Sequence, residues 1–321
     1  MFSSLFILSL AAGALGDCFP GAVVDRRPHV QCDRAPPCIR WSWLTEQRCA
    51  ERPRDEDWLP YSDPDLVRTT HWVPIRHLFH TKLRSKRVWV VGDSINNLVY
   101  SGLLCEAARH KMHYAIDQQM TTLFKSPEYA STWFPDAPYS AHYFPDTNTT
   151  LIQKGWHHYN RTDFTSILSL SDVVLVNYAL HYHDMLEYEE KMKEMFQQLN
   201  EWPGQAFFRE TGPQFFENTG AYTRPNTGDS GYTCAPMTDN VVWNNQIHHQ
   251  NEIVRRISPT RVAIIPFYNL TLNRWRQMEG RYCQAEARAS GESESTCLDC
   301  THFCFSPVLW SAFVDRWFHL F

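Results

Sequence analysis

The sequence predicts an α/β fold: a mostly parallel central sheet with helices on both faces, preceded by a cysteine-rich segment. Three observations carry this. Short, β-branched apolar runs end in polar turns, as buried parallel strands do. Segments with apolar residues at helical spacing stand between them. No internal repeat or low-complexity tract interrupts the alternation. With 321 residues, 43% hydrophobic and 14% aromatic, the chain has material for one large domain with a sizeable core.

In chain order, residues 1–16 (MFSSLFILSLAAGALG) are apolar from Leu5 to about Leu15. That run has the length of a signal-peptide core and falls short of the roughly 20 residues a spanning helix needs. Ala14-Leu15-Gly16 suits signal peptidase, which places cleavage near Gly16. The stretch before it lacks Lys and Arg, so an uncleaved anchor is the alternative. Residues 17–60 are rich in Cys and Pro without periodicity, and read as a stapled segment packed on the main domain through Trp41 and Trp43. Residues 61–321 read as the main domain. Val88–Val91 is a buried strand and Leu98–Arg109 the helix after it. Asp172–Asn177 is a second strand and Tyr188–Asn200 a charged amphipathic helix. Ala206–Arg209 and Arg261–Pro266 are two further strands, and 284–296 is a small acidic loop.

The formal charge of -5 gives no reason to expect nucleic acid or an anionic membrane as partner. Sequons stand at Asn148, Asn160 and Asn269. The ten cysteines (Cys18, Cys32, Cys38, Cys49, Cys105, Cys234, Cys283, Cys297, Cys300 and Cys304) are an even number behind a signal-like segment, and read as up to five disulfides in an oxidising compartment. The competing reading is zinc, since Cys297, Cys300, His302 and Cys304 have ligand spacing. The secretory context favours disulfides, and the sequence implies no metal and no cofactor.

In α/β sheets, ligands bind beyond the carboxyl ends of the strands. Gly92-Asp93-Ser94 occupies that place after Val88–Val91. Ser94 there is either a helix cap or a nucleophile beside helix N-terminal amides that favour an anion. A serine nucleophile needs a base, and the base an orienting group. Asp299 and His302, three residues apart, fit one face of a helical turn or one mouth of a tight loop. His157-His158, His181 with His183, and His248-His249 are equally conspicuous and are read as non-catalytic.

The pairing of an early Gly-Asp-Ser with a late Asp-x-x-His resembles the SGNH/GDSL hydrolase superfamily, most closely its PC-esterase branch. That branch includes the plant trichome-birefringence-like polysaccharide O-acetyltransferases and the animal sialate O-acetyltransferase domain. "LRSKRVWVVGDSINNLVYSGLLC", "DVVLVNYALHY", "FFRETGPQFF" and "DCTHFCFSPVLW" resemble its four blocks, and "DCFPG" its cysteine-rich lead-in. The resemblance spans most of residues 17–321 and implies an SGNH-type three-layer sandwich. It implies Ser94 as nucleophile, His302 as general base and Asp299 as its orienting partner. It implies an oxyanion hole from the Ser94 N–H and the Asn177 side-chain amide, and a substrate cleft lined by Arg209, Glu210 and Thr211. The family's second block supplies a glycine amide. Gly155 is the only glycine between residues 110 and 160, and nothing else marks it for that role. The resemblance also implies pairing among lead-in cysteines, with Cys18–Cys49 the first choice for a local bridge.

The function expected on this basis is carbohydrate O-acyl transfer, specifically O-acetyl, through a Ser94 acyl-enzyme, with a carbohydrate acceptor and an acyl donor as partners. A glycan O-acetyl-esterase uses the same triad with water as acceptor. A non-catalytic secreted glycan-binding protein is the third reading. The expected location is the secretory pathway, secreted or in the Golgi lumen, with no membrane span apart from an uncleaved N-terminal anchor.

Overall fold

A computed structural model describes residues 71, 73–124, 140–216, 234–236, 246–272, 278, 299–304 and 306–321. The signal-like segment, the cysteine-rich segment with Cys18, Cys32, Cys38 and Cys49, the 284–296 loop, Cys283 and Cys297 lie outside the described residues.

The described elements are α1 (Ile75–Thr81), β1 (Arg87–Gly92), α2 (Ser94–Arg109), β2 (Ala115–Ile116), α3 (Gln118–Phe124), β3 (Ser140–Phe144), β4 (Thr149–Gly155), α4 (Arg161–Ser169), β5 (Val173–Asn177), α5 (Met185–Glu201), β6 (Gln205–Arg209), α6 (Gln246–Ile257), β7 (Val262–Ile265), α7 (Phe267–Thr271) and α8 (Pro307–His319). The strands form one sheet in the order β2-β3-β4-β1-β5-β6-β7. The run from β4 to β7 is parallel, and β2 and β3 add an antiparallel edge. The chain is therefore α/β with a mostly parallel central sheet.

Strand periodicity divides the core in two. Val88 and Val90 of β1, Val173 and Leu175 of β5 and Phe207 of β6 face one cluster, which α1, α2, α7 and α8 cover. Trp89, Val91, Val174, Val176, Ala206 and Phe208 face the other, which α4, α5 and α6 cover. Each such side chain contributes about 1.5–3 kcal/mol on burial, so a charge at Val90 or Val174 would break a layer.

Local signals set the helix starts. Asp93 accepts a hydrogen bond from Ile95 N at 3.0 Å and starts α2 four residues before the predicted Leu98. Asp184 accepts from Leu186 N and Glu187 N, and starts α5 at Met185 rather than Tyr188. Ser306 and Pro307 start α8 in the same manner. After β1 the chain crosses to β4 on one side and then to β5 on the other. The carboxyl end of β1 is thus a topological switch point, where open α/β sheets form their crevice.

Candidate active site

The site begins at the end of β1. Gly92 has φ +145°, and a Cβ there would lie 1.9 Å from the Asn177 carbonyl oxygen, so only glycine lets β1 and β5 close at this level. Asp93 then caps α2, which makes Ser94 its first residue, partly exposed at the crevice. The Ser94 N–H is one of the first-turn amides without an intrahelical acceptor, and it makes no other bond among the described residues.

From the far end of the chain, Asp299–Phe303 forms a tight loop. Asp299 Oδ1 accepts from Thr301 N at 3.0 Å and His302 N at 2.9 Å, and Oδ2 lies 2.7 Å from His302 Nδ1. His302 Nε2 lies 2.8 Å from Ser94 Oγ. A carboxylate only accepts, so Nδ1 carries the hydrogen and Nε2 is left to accept from the Ser94 hydroxyl. Burial pushes the Asp299 carboxyl up, but the hydrogen bond and charge of His302, with the two loop N–H groups, outweigh it and hold the group below its ordinary value.

The loop is anchored from behind. Cys300 is bonded to Cys234, Cys300 O accepts from Phe215 N at 2.9 Å, and Gln214 Nε2 donates to Thr301 Oγ1 at 2.8 Å. Cys105 and Cys304 are also disulfide-bonded. Cys300 and Cys304 are thus not free for the alternative zinc set. No group of metal-ligating side chains occurs among the described residues.

Two groups of expected site residues take other places. Asn177 is fully buried, and its amide donates to Arg209 O and Thr211 Oγ1, both at 2.8 Å. Both amide hydrogens are engaged in tying β5 to β6, so Asn177 is not the oxyanion donor. Arg209, Glu210 and Thr211 are 0%, 1% and 0% exposed, and line no cleft. Arg209 lies beneath the Gly92–Ser94 turn. Its Nε donates to Asn96 Oδ1 at 2.6 Å, a terminal nitrogen pairs with Asp93 Oδ1 at 3.4 Å, and its plane lies 4.9 Å over the Phe267 ring. Asn96 in turn donates to Val91 O at 2.5 Å. Burial pushes Arg209 down to about 10 against the pull of Asp93. It pushes the Asp93 carboxyl up against Arg209. Glu210 accepts from Arg255 Nε at 2.6 Å, and Thr211 exchanges hydrogen bonds with the Asn251 side chain.

Residues 209–215 thus run from the underside of Asp93 to the underside of the Asp299–His302 loop, and join the Gly92–Ser94 turn to that loop. Sequence reading missed Asn96, Gln214 and Phe215. Asn96 in a helix start and Gln214 in a Pro-Gln pair carry no signal of burial. His157 and His181, which the sequence singles out without a role, stack their rings at 3.8 Å with a 9° interplanar angle at the ends of β4 and β5. Burial pushes His181 down to about 4, helped by His157 and by other histidines that include His302. His248 and His249 pair with Glu252 on α6. The sequon residues Asn148, Asn160 and Asn269 are exposed.

Among the described residues, no helix is long and apolar enough to cross a membrane. In comparison with known proteins, no family model matches the chain and no curated protein matches it.

Proposed function

We propose that the chain is a serine acyltransferase of SGNH type, acting on carbohydrate hydroxyls and transferring an acetyl group. The observation that carries the acyl-transfer chemistry is the continuous contact Asp299 Oδ2–His302 Nδ1 and His302 Nε2–Ser94 Oγ, at 2.7 and 2.8 Å. Ser94 Oγ attacks the ester carbonyl and its proton passes to His302 Nε2. The carbonyl π pair moves to oxygen. On collapse, the leaving oxygen departs with that proton and acetyl stays on Ser94. A second hydroxyl, deprotonated by His302, then takes the acetyl group and regenerates Ser94. Asp299 holds the neutral imidazole in the accepting tautomer before each proton transfer and stabilises the imidazolium that forms after it.

The carbohydrate acceptor rests on the four sequence blocks that resemble the PC-esterase branch, and so does the SGNH assignment of the sheet. A panel of neutral and acidic oligosaccharides, incubated with the protein and p-nitrophenyl acetate, separates the outcomes. Acetylated sugar by mass spectrometry supports transfer. Free acetate alone, at a rate unchanged by any sugar, supports the esterase instead.

A further inference from the structure

A tetrahedral intermediate on Ser94 carries an oxyanion, and an oxyanion hole needs at least two aimed donors. The Ser94 N–H is one. Asn177, engaged with Arg209 and Thr211, is not another.

Asn97 stands three residues after Ser94 on α2, so the two side chains share a face with Cβ atoms about 5–6 Å apart. Across the β1–β4 ladder, Gly155 is the partner of Gly92, two residues before the nucleophile. A Cβ on Gly155 would meet both Nδ2 and Oδ1 of Asn97 at 3.2 Å. The Asn97 carboxamide therefore lies against the bare Cα of Gly155, turned toward the strand ends rather than outward. Its Oδ1 is shielded from solvent and has no hydrogen-bond partner, and no bond from its Nδ2 occurs among the described residues. Its neighbour Asn96 has both ends engaged. An oxyanion is completed by donors, so what the carboxamide offers it is the pair of hydrogens on Nδ2, which no described residue engages.

We infer that Asn97 is the second oxyanion donor: its Nδ2 hydrogens and the Ser94 N–H together receive the developing negative charge, and Gly155 leaves the room for it. This role rests on the serine acyl-transfer reading and specifies how that site works.

The test is pre-steady-state acylation by p-nitrophenyl acetate and by its thiono analogue, in which sulfur, a poor hydrogen-bond acceptor, replaces the carbonyl oxygen. Wild type, Asn97→Ala and the isosteric Asn97→Asp are compared, with Ser94→Ala as baseline. Both Asn97 variants should acylate on the oxygen ester on the order of 10²–10³-fold more slowly, with unchanged melting. Their rates on the thiono ester should fall far less. Oxygen-ester rates equal to wild type, or equal losses on both esters, would overturn the assignment. If wild type itself gives no acyl-Ser94, the acyl-transfer reading falls and the Asn97 role with it.

Discussion

His302 Nε2 sits 2.8 Å from Ser94 Oγ although 208 positions of chain separate the two residues. Ser94 is fixed by the cap of a helix that follows a central strand, and His302 by a short loop tied to Cys234 and Phe215. Segment 209–215 links the two supports. Each part of that arrangement has a separate measurable consequence.

Asp299→Asn keeps the size of the side chain but offers an amide where the His302 ring requires an acceptor. The wrong tautomer then faces Ser94, and kcat/KM on an acetyl ester should fall by about 10³–10⁴-fold. The same variant has a pH signature. The folded-state pKa of Asp299 is depressed, so its stabilisation is present above the ordinary carboxyl value of 3.8 and is lost as pH falls through the lower folded value. Urea titrations from pH 5 down to pH 2 should show a flatter stability profile for the variant.

Arg209→Met would leave Asp93 buried and unpaired directly beside Ser94. Loss of one member of a buried pair costs about 3–5 kcal/mol, and a shift of that size in urea midpoint is expected. Arg209→Lys should recover only part of it, because an ammonium cannot reach Asn96, Asp93 and the Glu210 carbonyl in one plane as the guanidinium does.

The Cys234–Cys300 bridge closes a separation of 66 residues, and chain-entropy reasoning gives it about 4 kcal/mol of stability. The double variant Cys234→Ala/Cys300→Ala should melt correspondingly lower. At temperatures where it remains folded, release of nitrophenol from p-nitrophenyl acetate should fall further than the folded fraction does, because Cys300 lies between Asp299 and His302.

His181 gives a second pH dependence of known sign. Its folded pKa is lowered from 6.5 to about 4, so the folded protein keeps the ring neutral while the unfolded chain takes up a proton. The stability is complete above about pH 6.5 and declines as pH falls from 6.5 toward 4. His181→Phe, which retains a ring to stack on His157, should flatten the slope in that interval by thermal melting, with the remainder left to His142 and His157, whose values burial also lowers.

Strands were legible wherever an apolar run was unbroken: β1, β5, β6 and β7 appear within a residue or two of their predicted bounds. The β3–β4 hairpin was not, because Ser140–Phe144 mixes polar and aromatic residues and turns at Asn148 with φ 52°. α8 was missed although Ser306-Pro307 is a start signal, since the proline reads first as a breaker. Ser94, Asp299 and His302 could be singled out as types and spacings, but their meeting is a property of the folded chain. Asn177 and Arg209 show the limit most clearly. Strand-end polar residues read as site residues, and only the folded chain reveals that Asn177 is spent on β6 and Arg209 on the turn that starts α2.

The most direct measurement of the central claim is intact mass of wild type and Ser94→Ala after brief exposure to p-nitrophenyl acetate at acidic pH, where deacylation is slow. Wild type should gain one acetyl group, located by peptide mapping at Ser94, and the variant none if Ser94 is the nucleophile. An adduct of equal yield on Ser94→Ala, or no adduct on folded wild type, would contradict it.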